Sequence, residues 1–186
     1  MDDHVIEPPQ LWQERLPSRW RSRGPRVVRD SHTVEWIEGN QVFRRGGGGQ
    51  PIDFWEYEDL SWCHQMLNAA AGYPPEEWWM GPISFDQMRP GCFDSQARLA
   101  DMDLNHVEAS LCFPTFPRFC GQMFAERSDR ELALACVQAY NDWMVEEWAG
   151  PSGGRLIPLC IVPLWDPALA AAEVERNAAR GVPAVA

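Results

Sequence analysis

The chain has 186 residues, of which 45% are hydrophobic, and its 16 basic and 27 acidic side chains give a formal net charge of −11. These values are typical of a folded acidic protein and exclude a disordered tail or a collagen-like rod. All 16 basic residues are Arg. A Walker-type phosphate-binding Lys, a Schiff-base Lys and a pyridoxal phosphate anchor are therefore excluded. The negative charge argues against a nucleic-acid partner, so we expect a small molecule or another protein.

The N-terminal segment and the cysteines indicate the cellular compartment. The start of the chain lacks the basic and long apolar regions of a signal peptide, and no stretch approaches the roughly 18 apolar residues of a membrane span. We therefore expect a cytoplasmic location and no membrane partner. The six cysteines are spread along the chain without a C-x-x-C pair, which predicts buried free thiols rather than disulfides or metal ligands.

The chain opens with D-D-H-V-I-E-P-P, which predicts a short strand ended by two prolines. Residues two apart on a strand share a face, so the Asp2 carboxylate and the His4 imidazole would converge, as a metal site requires. Triplets of the form D-x-H also occur by chance. On these residues alone, a solvated N-terminus stays open as the alternative.

The region from residue 10 to residue 91 is long and irregular. Residues 26–28 and 33–37 are predicted to pair with 42–43 around a Gly39-Asn40 turn, as a small hairpin. Four glycines at 46–49 have no following G-K-S/T, so we interpret them as a flexible loop and not as a phosphate cradle. Seven of the ten Trp residues lie before residue 80. Such a Trp-rich segment can be a lid over a pocket, an interface or a loop pinned to the core.

Capping signals and hydrophobic periodicity predict regular helices and strands after residue 92. The predicted helices start at the N-cap Asp94, at the capping box 128–131 and at Asp166-Pro167; the second ends at Gly150-Pro151 and the third at Arg180. The predicted strands are 109–113, 156–162 and 182–186. Together with the opening strand, this order is the signature of an α/β fold with right-handed parallel crossovers.

Motifs of several enzyme classes are missing from the sequence. It contains no H-E-x-x-H, no G-x-S-x-G, no G-x-G-x-x-G after a strand and no paired-cysteine zinc motif. Metalloprotease, serine hydrolase and dinucleotide-dependent dehydrogenase activities therefore lack their parts. The remaining histidines, His32, His64 and His106, fall in a hairpin, a helical-looking segment and a turn, and we interpret each as structural.

Four segments resemble the amidohydrolase-related proteins that are similar to aminocarboxymuconate-semialdehyde decarboxylase. They are D-D-H-V-I-E-P-P-Q-L-W-x-E-R-L-P at the start, R-L-A-D-M-D-L-N-H-V-E-A-S-L-C-F-P-T at 98–115, A-Y-N-D-W at 139–143 and R-L-I-P-L-C-I-V-P-L-W-D-P at 155–167. The resemblance implies a (β/α)₈ TIM barrel with a single divalent metal ion, for which zinc is expected. It also implies hydrolysis or non-oxidative decarboxylation of a small, carboxylated or aromatic compound.

The resemblance assigns roles to individual residues. Asp2 and His4 look like the metal-ligand pair of the first strand, with Asp in the place that many relatives give to His or Glu. Superfamily members that bridge two metals with a carboxylated Lys are excluded as templates, since the chain has no Lys. Beyond the second and third strands, Arg118 is expected to bind a substrate carboxylate and Trp165 to form a pocket wall, the alternatives being a solvated Arg and a core Trp.

The expected organisation is a partial barrel of about the first three to four βα units. Residues 1–9 form the first strand with the ligand pair, 10–91 an insertion or lid with the small hairpin, and 92–186 the following βα units, ending about halfway round. The family completes its metal site with residues of later strands. The alternative function is therefore a catalytically silent fragment that acts as a binding or assembly module, and a homo-oligomer stays open.

Overall fold

The computed structural model describes residues 2–186, with the side chain of Asp2 outside the described part. The chain divides into two compact units. The first contains the residues up to Gly24 together with Pro90–Ala186, and the second contains Pro25–Arg89. None of the helices in the described residues is both long enough and apolar enough to cross a bilayer.

The described residues form nine strands and six α-helices. The strands are β1 (Asp2–His4), β2 (Arg26–Asp30), β3 (His32–Ile37), β4 (Asn40–Arg45), β5 (Ile52–Tyr57), β6 (Leu60–Cys63), β7 (Ser110–Phe113), β8 (Leu156–Cys160) and β9 (Ala184–Val185). The helices are α1 (Leu11–Arg15), α2 (Ser18–Arg21), α3 (Ser95–Leu104), α4 (Gln122–Ala125), α5 (Arg130–Trp143) and α6 (Pro167–Ala178). Short 3₁₀ helices lie at Met66–Asn68, Pro75–Glu77, Pro90–Cys92 and Gly150–Ser152, and a π-helical segment covers Met144–Ala149.

The first unit is built on a parallel sheet with the strand order β1-β7-β8-β9. Each strand pairs with the next one of this sheet along the chain, for example with Asp3 opposite Cys112 and Leu111 opposite Ile157. Helix α5 lies between β7 and β8 in the chain, and α6 lies between β8 and β9. This βα order is that of the first strands of a (β/α)₈ barrel, and the predicted α/β class is confirmed.

The helix starts follow the capping signals in the sequence, with one correction. Asp94 accepts a hydrogen bond from the Ala97 amide at 2.8 Å, as predicted for the N-cap of α3. The N-cap of α5 is Asp129 and not Ser128, because the Asp129 carboxylate accepts from the amide of Leu132 at 3.0 Å. A carboxylate at this position also interacts favourably with the positive end of the helix dipole.

Helix α5 packs its apolar face onto the core of the first unit. The fully buried side chains of this face are Leu132, Ala133, Cys136, Val137 and Tyr140. Trp12 of α1 is also fully buried, and its Nε1–H donates to the Cys136 carbonyl at 3.1 Å. Burying one large apolar side chain contributes roughly 1.5–3 kcal/mol, so this packing fixes α1 against α5.

The second unit contains an antiparallel sheet of order β2-β5-β6 and the hairpin β3-β4. The hairpin is confirmed, but its turn residues are Glu38 and Gly39, both with positive φ, one residue earlier than predicted. The predicted pairing of residues 26–28 with 42–43 was wrong, because β2 pairs with β5 and places Val28 opposite the fully buried Phe54.

All six cysteines are free, as predicted, and Cys120 alone among them is only partly buried.

Candidate active site at the carboxyl ends of the parallel strands

The candidate site lies where the parallel strands of the first unit end. Active sites of (β/α)₈ barrels are built from the loops at this end of the sheet. Strand β1 ends at His4, β7 ends at Phe113 and β8 ends at Cys160. The segments that follow contain Glu7, the turn 114–119 and residues 161–165.

His4 is held in one orientation by the loop after β7. Its Nδ1 lies 2.9 Å from the carbonyl oxygen of Pro114. Because a carbonyl only accepts hydrogen bonds, Nδ1 carries the proton, and in the neutral imidazole Nε2 keeps a free lone pair. A hydrogen bond of this type is the usual way in which a metal-binding histidine is oriented.

Two phenylalanines pack around the His4 ring. Phe113, its partner residue on β7, lies 5.8 Å away between ring centroids. Phe119 contacts the imidazole edge-to-face at 5.3 Å. The ring is therefore confined on its apolar side, while the residue as a whole remains exposed. An oriented imidazole at an open strand end suits a ligand for a metal ion or a substrate.

Asp2 and Asp3 need to be distinguished. The side chain of Asp2 lies outside the described residues, and only its backbone pairing with Leu111 in β1 is described. The carboxylate of Asp3 forms an ion pair with Arg98 and accepts from the Ser110 hydroxyl at 3.4 Å. Asp3 is thus engaged within the fold, and the Asp2 assignment stays a prediction.

Glu7 is a completely buried carboxyl group next to the site. It accepts hydrogen bonds from the backbone amides of Thr115 at 3.0 Å and Phe116 at 2.9 Å. Burial raises the pKa of Glu7 from 4.5 to about 7, and the two amide hydrogen bonds oppose that effect by stabilising the charged form. Glu7 therefore holds the loop after β7 from inside the protein.

The two predicted substrate-binding residues already have partners within the chain. Arg118 adopts a left-handed backbone conformation, with φ of 60°, and its guanidinium lies 2.6 Å from the Glu126 carboxylate at the surface. Trp165 follows β8, and the Arg130 guanidinium lies 5.1 Å from the centroid of its ring. The loop of Arg118 reaches His4 through Phe119, whereas Trp165 packs against Arg130. Both substrate roles stay predictions.

Sequence reasoning missed the residues that support this end of the sheet. The Asn141 side chain donates to the Ile161 carbonyl and accepts from the Ile161 amide, both at 2.9 Å. It also donates to the buried Glu173 carboxylate at 2.7 Å. Asn141 belongs to the A-Y-N-D-W segment, but its partner lies 20 residues away, and no local pattern signals that distance.

The other histidines belong to other elements of the chain. His64 is buried in the second unit, where the Trp55 indole N–H donates to its Nε2 at 3.2 Å. Burial lowers the pKa of His64 to about 3, and the Asp53 charge opposes this shift. His32 Nδ1 lies 2.7 Å from the Gln50 carbonyl oxygen, and His106 is exposed in a turn with φ of 55°.

The resemblance implies a divalent metal ion, for which the described side chains of this site supply one ligand atom, Nε2 of His4. Among the side chains that the structure describes, no three His, Cys, Asp or Glu residues group together as a metal site. His4 fits such a site through its tautomer, because Nε2 is the nitrogen that remains able to bind a metal ion. It supplies one donor, and the Asp2 carboxylate, which the sequence predicts as the next, lies outside the described side chains.

Comparisons with known proteins agree with this architecture. The family model described as amidohydrolase matches residues 30–186. Thirteen chains of solved structures are similar, among them an amidohydrolase from Mycobacterium avium subsp. paratuberculosis K-10 with 24% identity and a TM-score of 0.62. That match covers 100% of this chain and 50% of the other, so this chain spans half of that protein. The predicted partial barrel is confirmed at the level of the fold. No curated protein matches the chain.

Proposed function

The chain belongs to the amidohydrolase family, and from this premise we propose that it forms part of a metal-dependent hydrolase or non-oxidative decarboxylase. The proposed substrate is a small carboxylated or aromatic compound. The finer assignment, to the N-terminal half of a protein similar to aminocarboxymuconate-semialdehyde decarboxylase, is part of the same proposal. The observation that carries the proposal is the hydrogen bond from His4 Nδ1–H to the Pro114 carbonyl, since it leaves the Nε2 lone pair available to a metal ion at the strand end.

Asp2 and His4 are the residues that would hold the divalent ion, for which zinc is expected. A bound zinc ion lowers the pKa of a coordinated water to about 7 or polarises a carbonyl oxygen. Catalytic zinc sites usually have about three protein ligands, so further donors from other strands belong to the proposal. His4 is prepared for this role by its tautomer and by its contacts with Phe113 and Phe119.

Substrate binding would use the loops after β7 and β8. Arg118 is a planar, bidentate donor for a carboxylate, and it would exchange the surface carboxylate of Glu126 for that of the substrate. An exposed ion pair of this kind contributes only about 0–1 kcal/mol, so the exchange costs little. Trp165, which is partly buried and lies against Arg130, would contact an aromatic or apolar part of the substrate.

Elemental analysis tests the metal site. We expect the protein to bind about one zinc-like ion and the double variant Asp2→Ala/His4→Ala to lose it, because a mononuclear site then lacks two ligands. The matched control is His106→Ala, which removes an exposed histidine of another turn and should keep the ion. Equal metal content in the double variant and the wild type would contradict the ligand assignment.

A second candidate function is that of a catalytically silent binding or assembly module. It is favoured by three exposed tryptophans of the second unit, Trp36, Trp78 and Trp79, which are 68%, 50% and 51% accessible. Three results together would support this candidate: a homo-oligomer in size-exclusion chromatography, no bound metal in elemental analysis, and no hydrolase or decarboxylase activity. A cytoplasmic location and the absence of nucleic-acid and membrane partners stay predictions.

A further inference from the structure

Glu7 and His4 bind the same short turn. The His4 Nδ1–H donates to the carbonyl of Pro114 at 2.9 Å. The Glu7 carboxyl group accepts from the next two amides, those of Thr115 at 3.0 Å and Phe116 at 2.9 Å. Three consecutive residues are thus held by two side chains that lie three positions apart at the end of β1.

One peptide unit links these two sets of hydrogen bonds. The Pro114 carbonyl and the Thr115 amide belong to the same planar peptide group, which is trans and points them in opposite directions. His4 binds the carbonyl edge of this peptide group, and Glu7 binds its amide edge. The orientation of the plane therefore determines whether His4 meets a carbonyl or an amide.

The two orientations of this peptide favour different tautomers of His4. With the carbonyl toward the imidazole, as observed, Nδ1 is protonated and Nε2 has the lone pair. With the plane reversed, the amide would face Nδ1, which would then accept, and the proton would move to Nε2. With Glu7 ionised, so that both of its oxygens only accept, the reversed plane would also point the Pro114 carbonyl at this buried carboxylate, which is electrostatically unfavourable.

We propose that Glu7 is a positioning residue for His4, which fixes the Nδ1–H tautomer through the peptide plane between Pro114 and Thr115. Glu7 does not touch the proposed metal or substrate; it selects the state of His4 in which Nε2 has a lone pair for a metal ion. The relevance for metal binding rests on the proposed function. The effect on the tautomer does not, because it is a property of the metal-free protein.

Nitrogen NMR of the metal-free protein tests this inference. With ¹⁵N-labelled histidine, the four side chains give separate signals, and a His4→Ala variant assigns that of His4. We expect a single Nδ1–H tautomer in the wild type and a second, Nε2–H population in Glu7→Gln. The glutamine has one oxygen for two amides, and its NH₂ group repels the other. The Thr115 and Phe116 amides should then exchange faster with deuterium.

The matched control is Glu173→Gln. Glu173 is also a buried carboxyl group, but it bonds Asn141 and Asn177 instead of the turn at 114–116. This variant should lose stability and keep the His4 tautomer. If Glu7→Gln does not fold, Glu7→Asp replaces it, because the shorter side chain cannot reach both amides. An unchanged tautomer together with faster exchange at Thr115 would overturn the inference.

Zinc titration separates this inference from the proposed function. If both hold, Glu7→Gln should bind zinc about 10–100-fold more weakly, the usual effect of removing a group that orients a ligand. If neither protein binds zinc while the tautomer still changes, the metal site is refuted and the role of Glu7 stands. If zinc binding weakens with no change of tautomer in the metal-free protein, the role of Glu7 is refuted.

Discussion

At the scale of single residues, burial disfavours the charged forms of Glu7 and His64. Glu7 and His64 have at most 1% of their surfaces exposed, and a low-polarity environment disfavours the charged form of either group. The pKa of Glu7 is raised to about 7 and that of His64 is lowered to about 3. Their effects on stability consequently have opposite signs.

The raised pKa of Glu7 predicts that the protein loses stability as the pH rises. Between pH 4.5, the ordinary value, and about 7, the folded chain retains a proton that the unfolded chain has released. The contribution is complete below pH 4.5 and falls by up to about 1.4 kcal/mol per pH unit within the window. Glu7→Gln does not titrate, so its free energy of unfolding should rise relative to the wild type across this window. Urea unfolding at several pH values measures the difference, and a constant difference would contradict the prediction.

The sequence revealed the candidate site only in part. The spacing of Asp2 and His4 was readable because residues two apart on a strand share a face. The contacts of Glu7 were not readable, because they are made to amides 108 and 109 residues further along the chain. The same holds for the carbonyl of Pro114, which lies 110 residues from His4 in the chain.

At the scale of elements, a buried polar network joins α5, α6 and the end of β8. Asn141 bonds both backbone groups of Ile161 and the carboxyl group of Glu173. Arg176 donates to both oxygens of Glu173, at 2.9 and 2.6 Å, and to Asp142 at 2.6 Å. Asn141 thereby substitutes for a neighbouring strand at the point where β8 ends and the segment leading to Trp165 begins.

Asn141→Ala should destabilise the protein by about 2–4 kcal/mol. The change leaves the amide and the carbonyl of Ile161 without their partner in a fully buried position, and each such loss costs about 1–3 kcal/mol. The control is Asn105→Ala, which removes one exposed hydrogen bond to the Asp101 carbonyl and should cost less than about 1 kcal/mol. Denaturant unfolding measures the free energy of unfolding of both variants. Equal losses would show that the hydrogen bonds to Ile161 contribute no more to stability than the exposed one.

The elements after residue 92 were predictable, whereas those of the second unit were only partly so. Caps at Asp94 and Asp166 mark helix starts by local chemistry. Strand β5 was missed because Asp53 and Glu56 interrupt its apolar pattern. The structure explains Asp53, which is buried and forms a two-point ion pair with Arg29 at 2.8 Å. A carboxylate that is buried against a partner 24 residues away carries no strand signal.

At the scale of the whole molecule, Glu7 and His64 lie in different compact units. Glu7 belongs to the unit formed by the residues up to 24 and by 90–186, and His64 belongs to the unit formed by 25–89. His64 takes up a proton in the unfolded chain below pH 6.5 but resists it in the folded chain down to about 3. Stability from this group is present above pH 6.5 and is lost as the pH falls through that window.

We therefore expect acidification to weaken the two units unequally. Between pH 6.5 and 4, the protection of residues 25–89 against hydrogen exchange should fall by up to about a factor of ten per pH unit because of His64. This fall is measured after correction for the intrinsic exchange rates. His64→Gln removes the titration but keeps an acceptor for the Trp55 indole, so its protection in 25–89 should stay higher at pH 4. Peptides from 90–186 should have the same protection against exchange in both proteins. Glu7→Gln is the reciprocal control, since it should change protection in 90–186 and leave that of 25–89 unchanged. If His64→Gln restored protection equally in both units, the chain would unfold as one cooperative body and this prediction would be wrong.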